Sequence, residues 1–151
     1  MRSCPALYSH SGHSEKGKRR SNGLSILPSG TEVCIHRPVK LEVLSFLIEQ
    51  KRLGEKVAAY GAAAKGNTLL NFLGVKNDFI SYVVDANPHK QNRFLPASHI
   101  PVVDEGHLAK DRPDYVLILP WNLQAEITSQ LAYIRQWGGK FVIPIPHLQL
   151  V

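Results

Sequence analysis

Gly61, Lys65, Gly66, Asn67 and Thr68 fall within one stretch, VAAYGAAAKGNT (residues 57–68), whose residue types suit the binding of an anion. Two glycines let a backbone turn sharply and approach a ligand with no Cβ in the way. A lysine adds a full positive charge, and a threonine adds a hydroxyl. If 57–60 is a buried strand and a helix begins at Leu69, the turn between them gathers backbone N–H groups and the positive end of a helix dipole, an arrangement that receives a phosphate. Neither well-known phosphate motif is met in full. Lys65-Gly66 reverses the Gly-Lys order of the P-loop, and Ala63 stands where the dinucleotide fingerprint has its second glycine. The plainer reading is a glycine-punctuated turn with a solvated lysine.

Two further groups could join that turn. The polar segment DANPHKQNR (85–93) opens on Asp85, which lies 24 residues after Gly61, near the position at which nucleotide-binding sheets place an acid for a ribose hydroxyl. A turn-forming Asp at a strand end is the alternative. Asn87 and Pro88 mark a turn, and Lys90, Gln91 and Arg93 offer charge and hydrogen bonds unless they form only a solvated loop. Pro120, Trp121 and Asn122 follow the apolar run YVLIL (115–119); Trp121 offers a flat face for a base or sugar, or is simply packed. His89, His99 and His107 have no partner acid in view, and surface roles suit them. Cys4 and Cys34 are far apart, so free thiols are expected. A Cys4, His10, His13 grouping supplies too few ligands for a metal.

Elements must carry these residues to one place. Order is expected from Pro38, at the first turn of a helix with Leu41, Leu44, Leu47 and Ile48 on its apolar stripe and Gly54 as its stop. Residues 57–60 and 79–84 read as strands around a short apolar helix over 69–73. A short strand is expected over 100–103 and a helix over 104–111 with Asp104 as N-cap. Residues 115–119 read as a strand covered on both faces. A helix capped by Asn122 follows, with Leu123, Ile127, Leu131 and Ile134 inward and Gly138-Gly139 as its end. Residues 141–145 form the last strand, where Pro144 points to the sheet edge or the strand's end. Strands alternating with helices imply an α/β fold, Rossmann-like and doubly wound, with a mostly parallel sheet of four or five strands. Ligands of such sheets sit beyond the carboxyl ends of the strands, where all three groups should meet.

A chain of 151 residues is the size of one domain, and its 44% hydrophobic content is that of a globular protein. The net charge of +6 is concentrated in residues 1–37, which hold six Lys/Arg against two acids and read as a disordered or irregular basic leader. The remainder is nearly balanced, which argues against specific nucleic-acid binding. No apolar run is long enough to cross a bilayer and no secretory pattern opens the chain, so a cytoplasmic location is expected.

Four separated motifs, GAAAKGNTLLN (61–71), VDANPHKQNRFLPASHIPV (84–102), RPDYVLILPWNL (112–123) and WGGKFVIPIP (137–146), resemble the C-terminal domain of S-adenosylmethionine-dependent C-methyltransferases acting on nucleotide-linked deoxysugars. The resemblance covers 38–146. It implies a Rossmann-like domain that helps hold a nucleotide sugar, while a middle domain binds the methyl donor and a zinc domain precedes both. No catalytic residue carries over, and no cofactor is expected on this chain. The implied sugar-nucleotide face comprises Gly61, Lys65, Gly66, Asn67, Thr68, Asp85, Asn87, Pro88, Lys90, Gln91, Pro120, Trp121 and Asn122. Glycine is expected where Asn92 and Ala97 stand, which puts closure of the loop after Asp85 in question. Two other readings stay open: an enzyme using a nicotinamide or other nucleotide in its own right, and a subunit that docks on a separate methyl-donor domain through 69–73 and Trp121.

Overall fold

The computed structural model describes residues 33–151, with side chains from Val39 onward. The leader and the Cys4, His10, His13 grouping lie outside the described residues, except that 33–37 belong to the first helix. Helix α1 (Val33–Leu53) starts earlier than expected, so Pro38 is its sixth residue rather than part of its first turn. Val39, Val43, Phe46, Leu47 and Gln50 form its buried face. The expected stripe is therefore rotated: Leu47 is buried and Leu44 partly so, while Leu41 and Ile48 face solvent. Gly54, at φ +78°, ends the helix as expected.

The sheet has the order β3-β4-β2-β1-β5-β6-β7. Its strands are β1 (Val57–Tyr60), β2 (Val83–Val84), β3 (Arg93–Phe94), β4 (Pro101–Val103), β5 (Tyr115–Ile118), β6 (Lys140–Ile143) and β7 (Gln149–Leu150). The central five run parallel, and β3 and β7 pair antiparallel at the two edges. The five parallel strands are those legible in the sequence; the two edge strands are additional. β2 is shorter than expected because Phe79 and Ile80 donate to the Lys76 carbonyl and close a turn. Pro144 falls just past β6, and β7 rather than β6 takes the edge.

Alternation along the strands divides the core in two. Val57 and Ala59 face α1 and α2 (Ala64–Leu73), with Leu117, Leu119 and Val142 beside them. Ala58 and Tyr60 face the opposite layer, with Val116, Ile118, Phe141 and Ile143. That layer holds α3 (Gly106–Asp111), α4 (Gln124–Gln130) and the 3₁₀ segments Trp121–Leu123 and Ala132–Trp137. Glu105, not Asp104, stands at the α3 N-cap; Leu123, not Asn122, stands at that of α4, and neither makes a side-chain cap bond. Ile127, Leu131 and Ile134 are buried as expected, whereas Leu123 is exposed.

Candidate functional site

The chain leaves β1 through Gly61, at φ +89°, a conformation that a side chain rarely adopts. A Cβ on Gly61 would also lie 2.6 Å from Cδ of Pro120. Helix α2 then begins at Ala64, five residues before the expected start, because alanines favour helix and nothing after the turn resists it. Lys65, Gly66, Asn67 and Thr68 are therefore helical. Gly66 serves packing rather than ligand approach, since a Cβ there would sit 2.5 Å from Cβ of Leu119 on the sheet. Thr68 donates its hydroxyl to the Ala64 carbonyl at 3.0 Å. The Ala62 amide donates to Asp85, that of Ala63 to Gly61 and that of Asn67 to Ala63. The amides of Ala64, Lys65 and Gly66 have no protein acceptor among the described residues, and Lys65 is exposed with no ion-pair partner among them. Three open N–H groups, one lysine and a helix of ten residues make this an end that favours negative charge.

Asp85 ends β2 and is only 8% exposed. Its Oδ2 accepts the Ala62 N–H at 2.7 Å and the Lys90 ammonium at 3.2 Å, and Oδ1 accepts the Asn87 N–H at 2.8 Å. Three of its four acceptor positions are thus filled by the protein. The carboxylate ties the Gly61 turn to the following loop and is not free for a ribose. Gln91 donates to the Asp85 carbonyl, and the Asn87 side chain accepts the His89 N–H. Asn92 and Ala97 stand at φ +60° and +67°, the left-handed region that glycine prefers, so the expected glycine positions do require that conformation. The loop closes all the same, with Asn92 donating to the Val102 carbonyl at 2.9 Å and Leu95 to Ile100.

Two hollows flank the turn at the carboxyl end of the sheet. A crevice of about 280 Å³ lies between β1 and β5, where the winding reverses, bounded by Tyr60, Gly61, Asp85, Pro120, Glu126 and Gln130. Its polar groups are mainly acceptors. The buried Tyr60 hydroxyl donates to Glu105, which also accepts from Gln130 at 2.9 Å. Burial, with the Glu105 bond and charge, pushes the Tyr60 phenol well above its ordinary value, so it stays protonated as a donor. A second pocket of about 270 Å³ lies beside Ala62, walled by His89, Lys90, Arg93, Leu95, Pro96 and Val102.

A family model described as "C-methyltransferase C-terminal domain" matches residues 35–146. The chain belongs to this family. "C-methyltransferase NovU" of Streptomyces niveus is 37% identical over 98 residues, 65% of this chain and 23% of the relative. The chain thus spans less than a quarter of the length of that curated relative. A solved structure of UDP-D-quinovosamine 4-dehydrogenase from Vibrio fischeri superposes with a TM-score of 0.46 at 19% identity, covering 64% of this chain and 93% of that one.

In this C-methyltransferase C-terminal domain, Gly61, Asp85 and Pro120 line the switch-point crevice, whereas Lys90 lies on the basic pocket and Lys65 on the open helix end. Asn87, Pro88 and Asn122 are exposed on the flanking loops. Trp121 is half-buried and packs against both core layers. Tyr60, Glu105, Glu126 and Gln130 escaped sequence reasoning. Glu126 and Gln130 are four apart, the polar counterpart of the Ile127–Leu131 pair, and that spacing was the available signal. The strand-end acid that would take an adenosine ribose, Asp85, is already engaged. Among the described residues there is no cluster of three metal-ligating side chains and no helix long and apolar enough to cross a membrane.

Proposed function

We propose that this domain binds a nucleotide-linked deoxysugar at the carboxyl edge of its sheet, as the sugar-holding part of an S-adenosylmethionine-dependent C-methyltransferase. The supporting observation is the set of amides at Ala64, Lys65 and Gly66, open among the described residues, beside a lysine with no ion-pair partner among them, next to the switch-point crevice. Such a set suits the diphosphate of the ligand. In this reading the methyl donor is held by a separate domain, the 151 residues alone transfer no methyl group, and the protein works in the cytoplasm. Calorimetry with thymidine- and uridine-diphosphate sugars tests it. Wild type should release or absorb heat on binding, and Lys65→Ala should bind about tenfold or more weakly, a loss of ~1.4 kcal/mol or more. Equal affinity in both proteins would remove the lysine from the site, and absence of wild-type binding would remove the reading.

A further inference from the structure

We infer that the ligand lies across the Gly61 turn in one orientation, with its nucleoside phosphate half in the pocket of His89, Lys90 and Arg93 and its sugar in the crevice of Glu126 and Gln130. This rests on the nucleotide-sugar reading and adds a second site to it. Each hollow, at about 270 and 280 Å³, lies at or below the low end of small-ligand cavities, roughly 300 Å³, so each suits part of a bipartite ligand. They open on opposite faces of the sheet. Leu95 and Val102 of the first belong to the core layer under α1 and α2, and Tyr60 and Ile127 of the second to the layer under α3 and α4.

Charge decides which half goes where. The first pocket has two cationic side chains, Arg93 and the Asp85-paired Lys90, with His89 as a further hydrogen-bonding group, around an apolar floor of Ala62, Leu95, Pro96 and Val102, and no acid among its walls. Arg93 stands opposite Val102 in the β3–β4 ladder, so its side chain shares the pocket's face, and it has no carboxylate partner among the described residues. Phe94, exposed at the pocket's rim, adds an aromatic ring beside that apolar floor, and the two together would receive the base. Lys90, held on Asp85, fixes the pocket against the turn. The crevice carries Glu126 and Gln130 beside the engaged Asp85: the acids disfavour phosphate there, and the exposed Glu126 and Gln130 can hydrogen-bond sugar hydroxyls.

Calorimetry on the 151-residue chain at low ionic strength, with thymidine 5′-diphosphate and a thymidine-diphosphate deoxysugar, tests the orientation. Arg93→Ala should weaken both ligands about tenfold or more. Glu126→Gln should change affinity for the sugar-bearing ligand only. Arg93 and Glu126 are exposed, and matching circular dichroism of Arg93→Gln guards against misfolding. If wild type binds, Lys65→Ala weakens binding and Arg93→Ala does not, the orientation is wrong and the nucleotide-sugar reading stands. If Glu126→Gln weakens thymidine 5′-diphosphate as well, the two halves are misassigned. If wild type binds neither ligand, the reading itself falls.

Discussion

Ala97 is held at φ +67°, where its Cβ crowds the following carbonyl at a cost of roughly 1 kcal/mol, part of which glycine would return. Glycine also loosens the unfolded chain by about 0.4–1 kcal/mol, so Ala97→Gly should stabilise by only a few tenths to ~0.5 kcal/mol, read as a raised urea midpoint with unchanged slope. Asn92→Gly should gain less, because asparagine tolerates the left-handed region that it occupies at φ +60°. A larger gain at Asn92 than at Ala97 would overturn this account. Gly66 behaves oppositely. Its φ is ordinary, but a methyl there would lie 2.5 Å from Leu119 Cβ, so Gly66→Ala should cost about 1–3 kcal/mol by forcing α2 off the sheet. The same displacement should weaken ligand binding, because the open amides of Ala64 and Lys65 move with the helix.

At the opposite end of the sheet from the crevice, α3 is fastened to the start of β1 by Asp111, which accepts from the Lys56 ammonium at 2.6 Å and the Tyr82 hydroxyl at 3.1 Å. The Lys56 hydrogen bond holds the Asp111 carboxyl below its usual 3.8, and the Asp111 bond and charge raise the Lys56 amine above 10.5. A depressed carboxyl adds stability at pH values above its unfolded value and loses it as pH falls through the folded one. Urea unfolding of wild type and Asp111→Asn should therefore differ at neutral pH and converge well below pH 3.8, with ligand affinity untouched at pH 7. A difference that persists in acid would sink the assignment. At the alkaline end the Lys56 share persists until pH rises through its folded value. Neither this clasp nor β3 and β7 was legible in the sequence, because each depends on residues brought together from distant segments. The parallel strands were legible, since β1 and β5 are runs of buried apolar residues that local pattern reveals. The candidate site's geometry was half legible. Gly61, Asp85 and Pro120 sit at strand ends, where topology places function. Lys65 to Thr68 read as a turn in the sequence because the glycines mask a helix that starts at Ala64, and the acceptors on α4 present only a polar face.

Because β1 lies at the centre of the sheet and its two neighbours lead in opposite directions, the segments after β1, β2 and β5 converge on one edge, with a core layer on each face. A ligand spanning that edge would add to the links among the α2 helix, the 85–99 loop and the 3₁₀ turn at Trp121–Leu123, which already meet through Asp85, Pro120, the Asn71–Pro96 hydrogen bond and shared core packing. Binding to the folded chain alone must then raise its stability by mass action, about 2.7 kcal/mol at a hundredfold excess over Kd. For a domain of this size that corresponds to a rise in Tm of roughly 10 °C. A free deoxysugar lacks the phosphates that the open amides and the basic pocket would receive, and should produce almost no shift. The nucleoside diphosphate should produce most of it. Added salt should shrink the shift for both phosphorylated ligands, because the helix end, Lys65 and Arg93 are solvent-exposed and screened within about 10 Å at 0.1 M. Calorimetric scans across ligand and salt check all three outcomes together. A shift that follows the sugar rather than the phosphates would mean that the crevice, not the helix end, governs recognition.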